Sequence, residues 1–171
     1  REALAALKYR GDRRRAPGLA MLLAGVLHAH PAAFEDVDRI VGMPGVPTAA
    51  RPLDHVHELM VALAVIVGDL WPLDVDRPVL VKRAPTTSMV ELASAPARRL
   101  WAAGELRAAL VVPEPARVRG QRIVVVDDVF TDGSTMREGA IALRRAGALA
   151  VSGLVVARRG YRGHPGIGRG P

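Results

Sequence analysis

Two kinds of hydrophobic pattern alternate along the chain. Apolar residues three or four positions apart predict helices at Glu2 to Tyr9, Ala16 to Ala29, Asp54 to Val67, part of Met89 to Ala103, and Ser134 to Ala146. Short apolar runs predict strands at Asp38 to Met43, Arg77 to Lys82, Ala108 to Val112, Gln121 to Asp127, and Ala148 to Ala157. Helices that alternate with strands predict an α/β fold, with a mostly parallel central sheet flanked by helices.

The same pattern predicts how the chain is divided. We expect one domain over residues 1–159, with a small helical region at 1–35 and a core at 36–159. Residues 160–171 have the sequence GYRGHPGIGRGP, and this glycine-rich composition predicts a flexible tail. The longest apolar run, Leu59 to Val67, is much shorter than the roughly 18 residues of a membrane span, so no membrane partner is expected.

Composition excludes several classes of function. Half of the residues are hydrophobic but only 4% are aromatic, which counts against an aromatic platform for single-stranded nucleic acid. The absence of cysteine excludes a disulfide-stapled module, a zinc ribbon, an iron–sulfur protein and a thiol enzyme, and it favours a cytoplasmic protein. His28 and His30, like His55 and His57, are two positions apart, and this spacing does not place both side chains on one helix face to bind a metal.

The charge balance predicts an anionic ligand. The chain has 24 basic and 17 acidic side chains, a formal net charge of +7, and Arg supplies nearly all of the positive charge. Guanidinium groups suit phosphates, so phosphorylated small molecules and polyanions are both candidates. A compositional bias towards Arg explains the same count without a ligand. The run Arg13 to Arg15 is compatible with DNA contact, but such runs between helices are usually solvated, so nucleic acid is not favoured.

The most unusual residues come at the carboxyl end of the strand that begins at Gln121. Asp127 and Asp128 stand there, and the polar turn Thr131 to Thr135 leads into the next helix. Free N–H groups, hydroxyls and the positive end of a helix dipole make such a turn a phosphate cradle, and Gly133 permits close approach. The carboxylates can accept hydrogen bonds from sugar hydroxyls or stand near a hydrated Mg²⁺. A simple helix cap accounts for one aspartate, but not for two and the turn.

Two stretches carry a family resemblance. Residues Ile123 to Thr135 resemble the phosphoribosyl-pyrophosphate (PRPP) binding motif of type I phosphoribosyltransferases, with Phe130 and Asp132 at positions where a smaller aliphatic and Thr, Ser or Ala are usual. Leu7 to Asp12 (LKYRGD) is similar to the stretch that precedes the core of the ComF-like, amidophosphoribosyltransferase-like members. The resemblance runs from about Leu7 to Ala157 and is weaker in the middle.

The resemblance implies a Rossmann-like type I phosphoribosyltransferase fold with residues 1–35 as the hood. It implies Mg²⁺-dependent transfer of ribose 5-phosphate from PRPP to an unidentified nitrogenous acceptor, with release of pyrophosphate. The catalytic residues would be Asp127 and Asp128, which would also hold Mg²⁺ directly or through water. The 5′-phosphate site would consist of Thr131, Asp132, Gly133, Ser134 and Thr135. The pyrophosphate site would consist of Pro44, Gly45, Lys82, Arg83, Arg98 and Arg99, with a mobile flap over Ala84 to Arg99.

A second hypothesis keeps the same fold but assigns the protein no catalytic activity. It is a non-catalytic, PRPP-sensing or DNA-associated module of DNA uptake or repair. The net charge, Asp132 and the absence of the family's Arg-Gly-Phe-Asn-Gln stretch after the first loop favour it. Under the enzyme hypothesis the expected partners are PRPP, the acceptor and a second copy of the chain in a homodimer.

Overall fold

A four-stranded parallel sheet forms the centre of the molecule. The structure is a computed structural model that describes residues 2–87 and 94–158. The strands, in chain order, are β1 (Arg39–Gly42), β2 (Leu73–Asp74), β3 (Val81–Lys82), β4 (Leu110–Val111), β5 (Arg122–Phe130) and β6 (Ala150–Arg158). The central sheet has the order β2-β1-β5-β6 with every pair parallel, and β3 pairs with β4 in a separate antiparallel ribbon. The predicted α/β fold with a mostly parallel sheet is therefore confirmed.

Helices cover both faces of this sheet. They are α1 (Glu2–Arg10), α2 (Ala16–Ala29), α3 (His55–Val67), α4 (Ala95–Trp101), α5 (Arg107–Ala109) and α6 (Ser134–Arg145), and a π-helical segment, Ala102–Leu106, joins α4 to α5. Asp54 caps α3 as predicted, since its carboxylate accepts hydrogen bonds from the amides of Val56 and His57. Among the described residues, no helix is long and apolar enough to cross a membrane.

The two faces of β5 pack against different layers. Val124 and Val126 lie in a cluster with α2 and α3, whereas Ile123 and Val125 lie in a cluster with α6. Successive side chains of a strand point to opposite faces, so a strand covered on both sides needs apolar residues at every position. All four are almost completely buried, which explains the uninterrupted hydrophobic run in the sequence.

Helix α1 packs over the carboxyl end of the sheet. Leu4 and Leu7 are buried in a third cluster with Leu19 of α2 and Leu59 of α3, and Val129 of β5 packs against the same cluster. Buried leucines of this kind each contribute about 2 kcal/mol of hydrophobic stabilisation. The helix is thereby fixed beside the acidic pair of β5, with Lys8 one residue beyond the buried Leu7.

The structure corrects the strand predictions at the edge of the sheet. The predicted strand Arg77 to Lys82 is reduced to Val81–Lys82, which joins the ribbon with β4 and not the central sheet. The reason is that side chains satisfy the preceding backbone: the Val79 amide donates to Asp74 and the Arg77 carbonyl accepts from Arg117. The two-residue strand Leu73–Asp74, which we did not predict, takes the edge position beside β1.

Strand β5 is longer than predicted. It continues past Asp127 to Phe130, so the acidic pair lies inside the hydrogen-bonded ladder with β6. The predicted tail, 160–171, lies outside the described residues, as do residues 88–93 of the predicted flap and of the predicted helix that begins at Met89.

Candidate active site

A cleft of about 1760 Å³ opens at the carboxyl ends of β1 and β5. These two strands are neighbours, and the chain leaves β1 towards β2 on one side while β5 lies on the other. Such a reversal of strand order splays the connecting loops apart and creates a crevice for ligands. The cleft is lined by the loop after β1, the end of β3, the acidic pair and the turn before α6.

Asp127 and Asp128 lie on the floor of this cleft. Their exposed fractions are 8% and 4%. The Asp128 amide donates to Asp127 Oδ1 at 2.8 Å, and the Val129 amide donates to Asp128 Oδ1 at 2.7 Å. The backbone therefore fixes one oxygen of each carboxylate, and the orientation of both groups is set before any ligand arrives.

Two basic side chains from the first third of the chain converge on Asp128. His55 Nε2 donates to Asp128 Oδ2 at 3.0 Å, and the Lys8 ammonium forms an ion pair with the same oxygen. All three are mostly buried: the side-chain atoms alone are 10% exposed in His55, 20% in Lys8 and 5% in Asp128. Neither basic residue was among the predicted site residues. Lys8 belongs to the LKYRGD stretch, which was the one available signal.

The surroundings shift the pKa values of the two carboxyl groups in opposite directions. Burial, together with the charge of Asp128, raises the pKa of Asp127 to about 7. Burial also opposes ionisation of Asp128, but the hydrogen bond from His55 and the Lys8 ammonium outweigh it and hold the pKa of Asp128 well below its usual range. Near neutral pH the pair therefore carries between one and two negative charges, and the surroundings favour the ionised form at Asp128.

The turn before α6 is shaped by Gly133. Its φ of 78° lies in the left-handed region, and a Cβ at this position would stand 2.9 Å from Phe130 Cζ. Only glycine adopts this left-handed conformation and leaves room for the Phe130 ring without strain. The turn delivers the first amides of the twelve-residue α6 to the cleft beside Asp127, an arrangement in which helix N-termini bind phosphate.

Asp132 is tied into this turn and does not point freely at a ligand. Its Oδ1 accepts from the Ser134 amide at 3.1 Å, and its Oδ2 accepts from Arg98 Nε at 3.2 Å. Partial burial opposes its ionisation, but these contacts with Ser134 and Arg98 outweigh it and lower the pKa of Asp132. Arg98, predicted for the pyrophosphate site, is thus placed against the turn before α6, whereas Arg99 on the same helix is exposed.

The loop after β1 is held by the cap of α3. The Gly45 amide donates to Asp54 Oδ2 at 2.8 Å, while Asp54 Oδ1 accepts from the amides of Val56 and His57 at the start of α3. The carboxylate also limits the space at Gly45, because a Cβ there would stand 3.1 Å from it. The Gly45 amide, predicted to contact pyrophosphate, is therefore engaged inside the protein in this conformation.

Lys82 reaches the cleft from the end of β3. Its Nζ donates to Thr86 Oγ1 at 2.6 Å. Burial and the nearby charge of Arg51 lower the pKa of Lys82. Its neighbour Arg83 is exposed and does not line the cleft.

The structure brings most of the predicted site residues to one cleft. Those that line it are Pro44, Gly45, Lys82, Arg98, Asp127, Asp128, Thr131, Gly133 and Thr135. Those that do not line it are Arg83, Arg99, Asp132 and Ser134. The cleft thus holds carboxylates, a helix N-terminus and cations at successive positions, which suits a ligand with a sugar and several phosphates.

Comparison with known families identifies the class. The family model described as "phosphoribosyl transferase domain" matches residues 59–165, which is more than half of the chain. The chain therefore belongs to the phosphoribosyltransferase domain family, and the predicted family is confirmed at this level. No curated protein sequence matches it.

Three solved structures show a distant likeness to the chain. One is the allosteric regulatory enzyme of purine biosynthesis, with 20% identity and a TM-score of 0.46 over 82% of this chain and 25% of that chain. A second is an alanine mutant from an analysis of an invariant aspartic acid in HPRTs, with 9% identity, a TM-score of 0.43 and coverage of 90% and 80%. A third is a hypoxanthine phosphoribosyl transferase of Trypanosoma cruzi, with 9% identity, a TM-score of 0.43 and coverage of 89% and 75%. This chain spans a quarter of the length of the first.

Proposed function

We propose that this chain is a Mg²⁺-dependent phosphoribosyltransferase of the ComF-like group, which transfers ribose 5-phosphate from PRPP to a nitrogenous acceptor. The observation that carries the proposal is the placement of the acidic pair and the Gly133 turn in one cleft. Membership of the phosphoribosyltransferase domain family supports it. We further propose that residues 1–159 act as one domain with 1–35 as the hood, because α1 and α2 pack over the carboxyl ends of β5 and β6.

The turn from Thr131 to Thr135 would bind the 5′-phosphate. The amides at the start of α6 and the positive end of its dipole attract the phosphate, and hydroxyls line the turn. Asp132 would oppose an anion, but its carboxylate is neutralised by Arg98 and occupied by the Ser134 amide. The turn therefore remains suited to a dianion despite this unusual residue.

The acidic pair would hold the ribose. Asp127, protonated in part near neutral pH, can donate to one hydroxyl, and Asp128, ionised, can accept from another. In the transfer, the bond between C1′ and the pyrophosphate oxygen breaks, and pyrophosphate leaves with the electron pair. The acceptor nitrogen forms the new bond to C1′ and loses a proton to solvent. Positive charge develops on the ribose as the leaving group departs, and the ionised Asp128 stabilises it.

The residues present fit a hydrated Mg²⁺. Both candidate ligands are carboxylates, which this cation prefers, and the Lys8 ammonium on Asp128 shows that the position accepts positive charge. The described residues include no group of three or more His, Asp or Glu side chains that could hold a metal on their own. This agrees with a cation that keeps several waters and takes its other ligands from substrate phosphates. Mg²⁺ would neutralise the charge of the departing pyrophosphate.

Lys82 and Arg98 would bind the pyrophosphate. Both side chains line the cleft, Lys82 from the end of β3 and Arg98 from α4. In the loop at Pro44 and Gly45, proline has no N–H to donate, and the Gly45 amide would bind pyrophosphate only after it leaves Asp54. Pyrophosphate binding would therefore be accompanied by rearrangement of this loop.

The second hypothesis, a PRPP-sensing or DNA-associated module, shares the same cleft. Its DNA contact would use the run Arg13 to Arg15. Arg14 and Arg15 pair with Asp12, and Arg13 pairs with Glu58, so these cations are partly neutralised within the protein. We therefore place the enzyme first.

The test measures pyrophosphate release and PRPP binding. The protein is incubated with PRPP, Mg²⁺ and a panel of bases, amines and ammonia, and PRPP binding is followed by calorimetry. We expect release with at least one acceptor, and a loss of about a hundredfold or more in Asp127→Asn and Asp128→Asn. Glu35→Gln, which changes an exposed carboxylate away from the cleft, serves as the control. Absence of both release and PRPP binding would refute the proposal. Salt-dependent DNA binding that survives both aspartate changes would favour the second hypothesis.

A further inference from the structure

The packing of α1 fixes the position of Lys8 beside the acidic pair, Asp127 and Asp128. Leu4 and Leu7 bury one face of α1 against α2 and α3. Lys8 follows Leu7 and extends from this anchored face to Asp128, 120 residues away in the sequence. The contact is not a surface ion pair, because the Lys8 side chain is four-fifths buried and the Asp128 side chain is almost fully buried.

The ammonium leaves little of Asp128 for another cation. Asp128 Oδ1 accepts from the Val129 amide, and Oδ2 is shared by Lys8 and His55. A divalent cation that ligates Asp128 therefore meets a positive charge that already contacts Oδ2. Two cations at one carboxylate oxygen repel each other strongly in a buried site. One of them has to leave.

We propose that Lys8 is a tethered cation, which holds the metal position on Asp128 in the substrate-free protein and withdraws when Mg²⁺ arrives with PRPP. The proposal rests on the proposed function for the identity of the incoming ligand, but the competition between Lys8 and a divalent cation stands on geometry alone. Lys8 keeps the buried Asp128 charge paired before substrate binds. The incoming cation then pairs with the Asp128 carboxylate that Lys8 releases, and the ammonium of Lys8 becomes accessible to solvent.

The first consequence is an order of binding. The free metal gains only the carboxylates of the acidic pair, and its arrival breaks the ion pair between Lys8 and Asp128, so its affinity for the substrate-free cleft is low. Metal that carries PRPP also brings the ribose and its phosphates, whose contacts with the cleft offset the loss of that ion pair. Metal and substrate therefore enter together.

The experiment measures Mn²⁺ binding to the substrate-free protein by electron paramagnetic resonance. Lys8→Met removes the charge and keeps much of the length, and Lys8→Arg keeps the charge. Arg10→Met, two residues further along α1 and exposed, is the matched control. We expect Lys8→Met to bind Mn²⁺ at least tenfold more tightly than wild type, Lys8→Arg and Arg10→Met to resemble wild type, and the gain to vanish in Lys8→Met combined with Asp128→Asn. Equal affinity in Lys8→Met and wild type, or a gain that survives Asp128→Asn, would overturn the proposal.

A second measurement needs no variant. Lys8 and Lys82 are the two lysines of the chain, so the rate of acetylation at each can be followed by mass spectrometry. We expect Mg²⁺ alone to leave the Lys8 rate unchanged and Mg²⁺ with PRPP to raise it severalfold. A Lys8 rate that stays the same or falls when calorimetry shows the protein saturated with PRPP would refute the withdrawal. Failure of PRPP to bind at all would instead refute the proposed function, and the Mn²⁺ comparison would still decide whether Lys8 competes with metal.

Discussion

His55 Nε2 lies 3.0 Å from Asp128 Oδ2, although 73 residues separate the two in the sequence. The contact joins the first turn of α3 to the end of β5, at the floor of the cleft. His55 stands next to Asp54, which caps the same helix, so the helix start fixes the position of the imidazole. The side chain that orients the ionised carboxylate is thus itself held by secondary structure.

Replacing His55 tests this orienting role. His55→Phe removes the donor to Asp128, and His55→Gln restores one. We expect His55→Phe to lower kcat/KM for PRPP by about tenfold to a hundredfold, mainly through KM, because a misplaced carboxylate weakens sugar binding. His55→Gln should recover part of this loss. The exposed His57, two residues on, provides the control His57→Phe. Equal losses in His55→Phe and His55→Gln would show that the imidazole acts by packing alone.

Asp127 predicts a dependence of stability on pH. Its pKa is about 7 in the folded protein, whereas the ordinary value for an aspartate, which applies to the unfolded chain, is 3.8. A raised folded pKa means that the contribution to stability is full below about pH 4 and is lost as the pH rises through 7. The lowered pKa of Asp128 acts in the opposite sense, but only at acidic pH. The free energy of unfolding should therefore fall by about 2 kcal/mol from pH 5 to pH 8.

Urea unfolding in metal-free buffer at several pH values measures this fall. Asp127→Asn should flatten the dependence, since the amide does not titrate. Asp69→Asn changes an exposed carboxylate and should leave the wild-type slope intact. A slope that is the same in all three proteins would contradict the raised pKa of Asp127.

Substitution of Gly133 should affect both stability and PRPP binding, whereas substitution of a matched glycine elsewhere should affect stability alone. Gly133→Ala places a methyl group at a φ of 78° and against Phe130, so we expect a loss of about 1–2 kcal/mol in stability. Gly120, with a φ of 75° and open space around it, offers a matched control. Gly120→Ala should cost about 1 kcal/mol and leave PRPP affinity unchanged, whereas Gly133→Ala should weaken it at least tenfold. Equal affinities in the two variants would exclude a role for the turn in phosphate binding.

Replacing Asp132 by a neutral residue should raise the affinity for PRPP. Asp132→Ser keeps an oxygen that can accept from the Ser134 amide, removes a negative charge from the phosphate turn and releases Arg98 from its ion pair. We expect KM for PRPP to fall about fivefold. Combination with Arg98→Met separates the two causes, since a gain that comes from the released guanidinium disappears in the double variant. A rise in KM for Asp132→Ser would show that the carboxylate contributes to binding.

The spacing of apolar residues within short segments of the sequence predicted most of the helices and strands. Helix α2 was predicted with its observed bounds, because its apolar face is regular over four turns. Strand β5 was predicted from a run that must be apolar on both faces. Strand β2 escaped prediction because two residues carry no periodicity, and its place beside β1 is decided by packing at the sheet edge.

The site shows the same division between local and distant determinants. The acidic pair and the turn Thr131 to Thr135 are separated by only two residues in the sequence, so their spacing alone predicted that they would meet. The contacts of Lys8 and His55 with Asp128, and of Arg98 with Asp132, join elements that are distant in the sequence. Charge complementarity of this kind leaves no periodic signature, and it became visible only once the sheet order brought these elements together.

The pairing of β1 with β5 has a consequence for the order of folding. Arg39 pairs with Ile123, so closing this contact spans about half of the chain. Contacts of such long range carry a high entropic cost and form slowly, whereas α2 and α3 are closer in sequence and can associate earlier. The cleft at the carboxyl ends of β1 and β5 therefore comes into existence only late in folding, when β5 inserts beside β1. A nascent chain still missing β5 would hold α1, α2 and α3 but no acidic pair for Lys8 to meet.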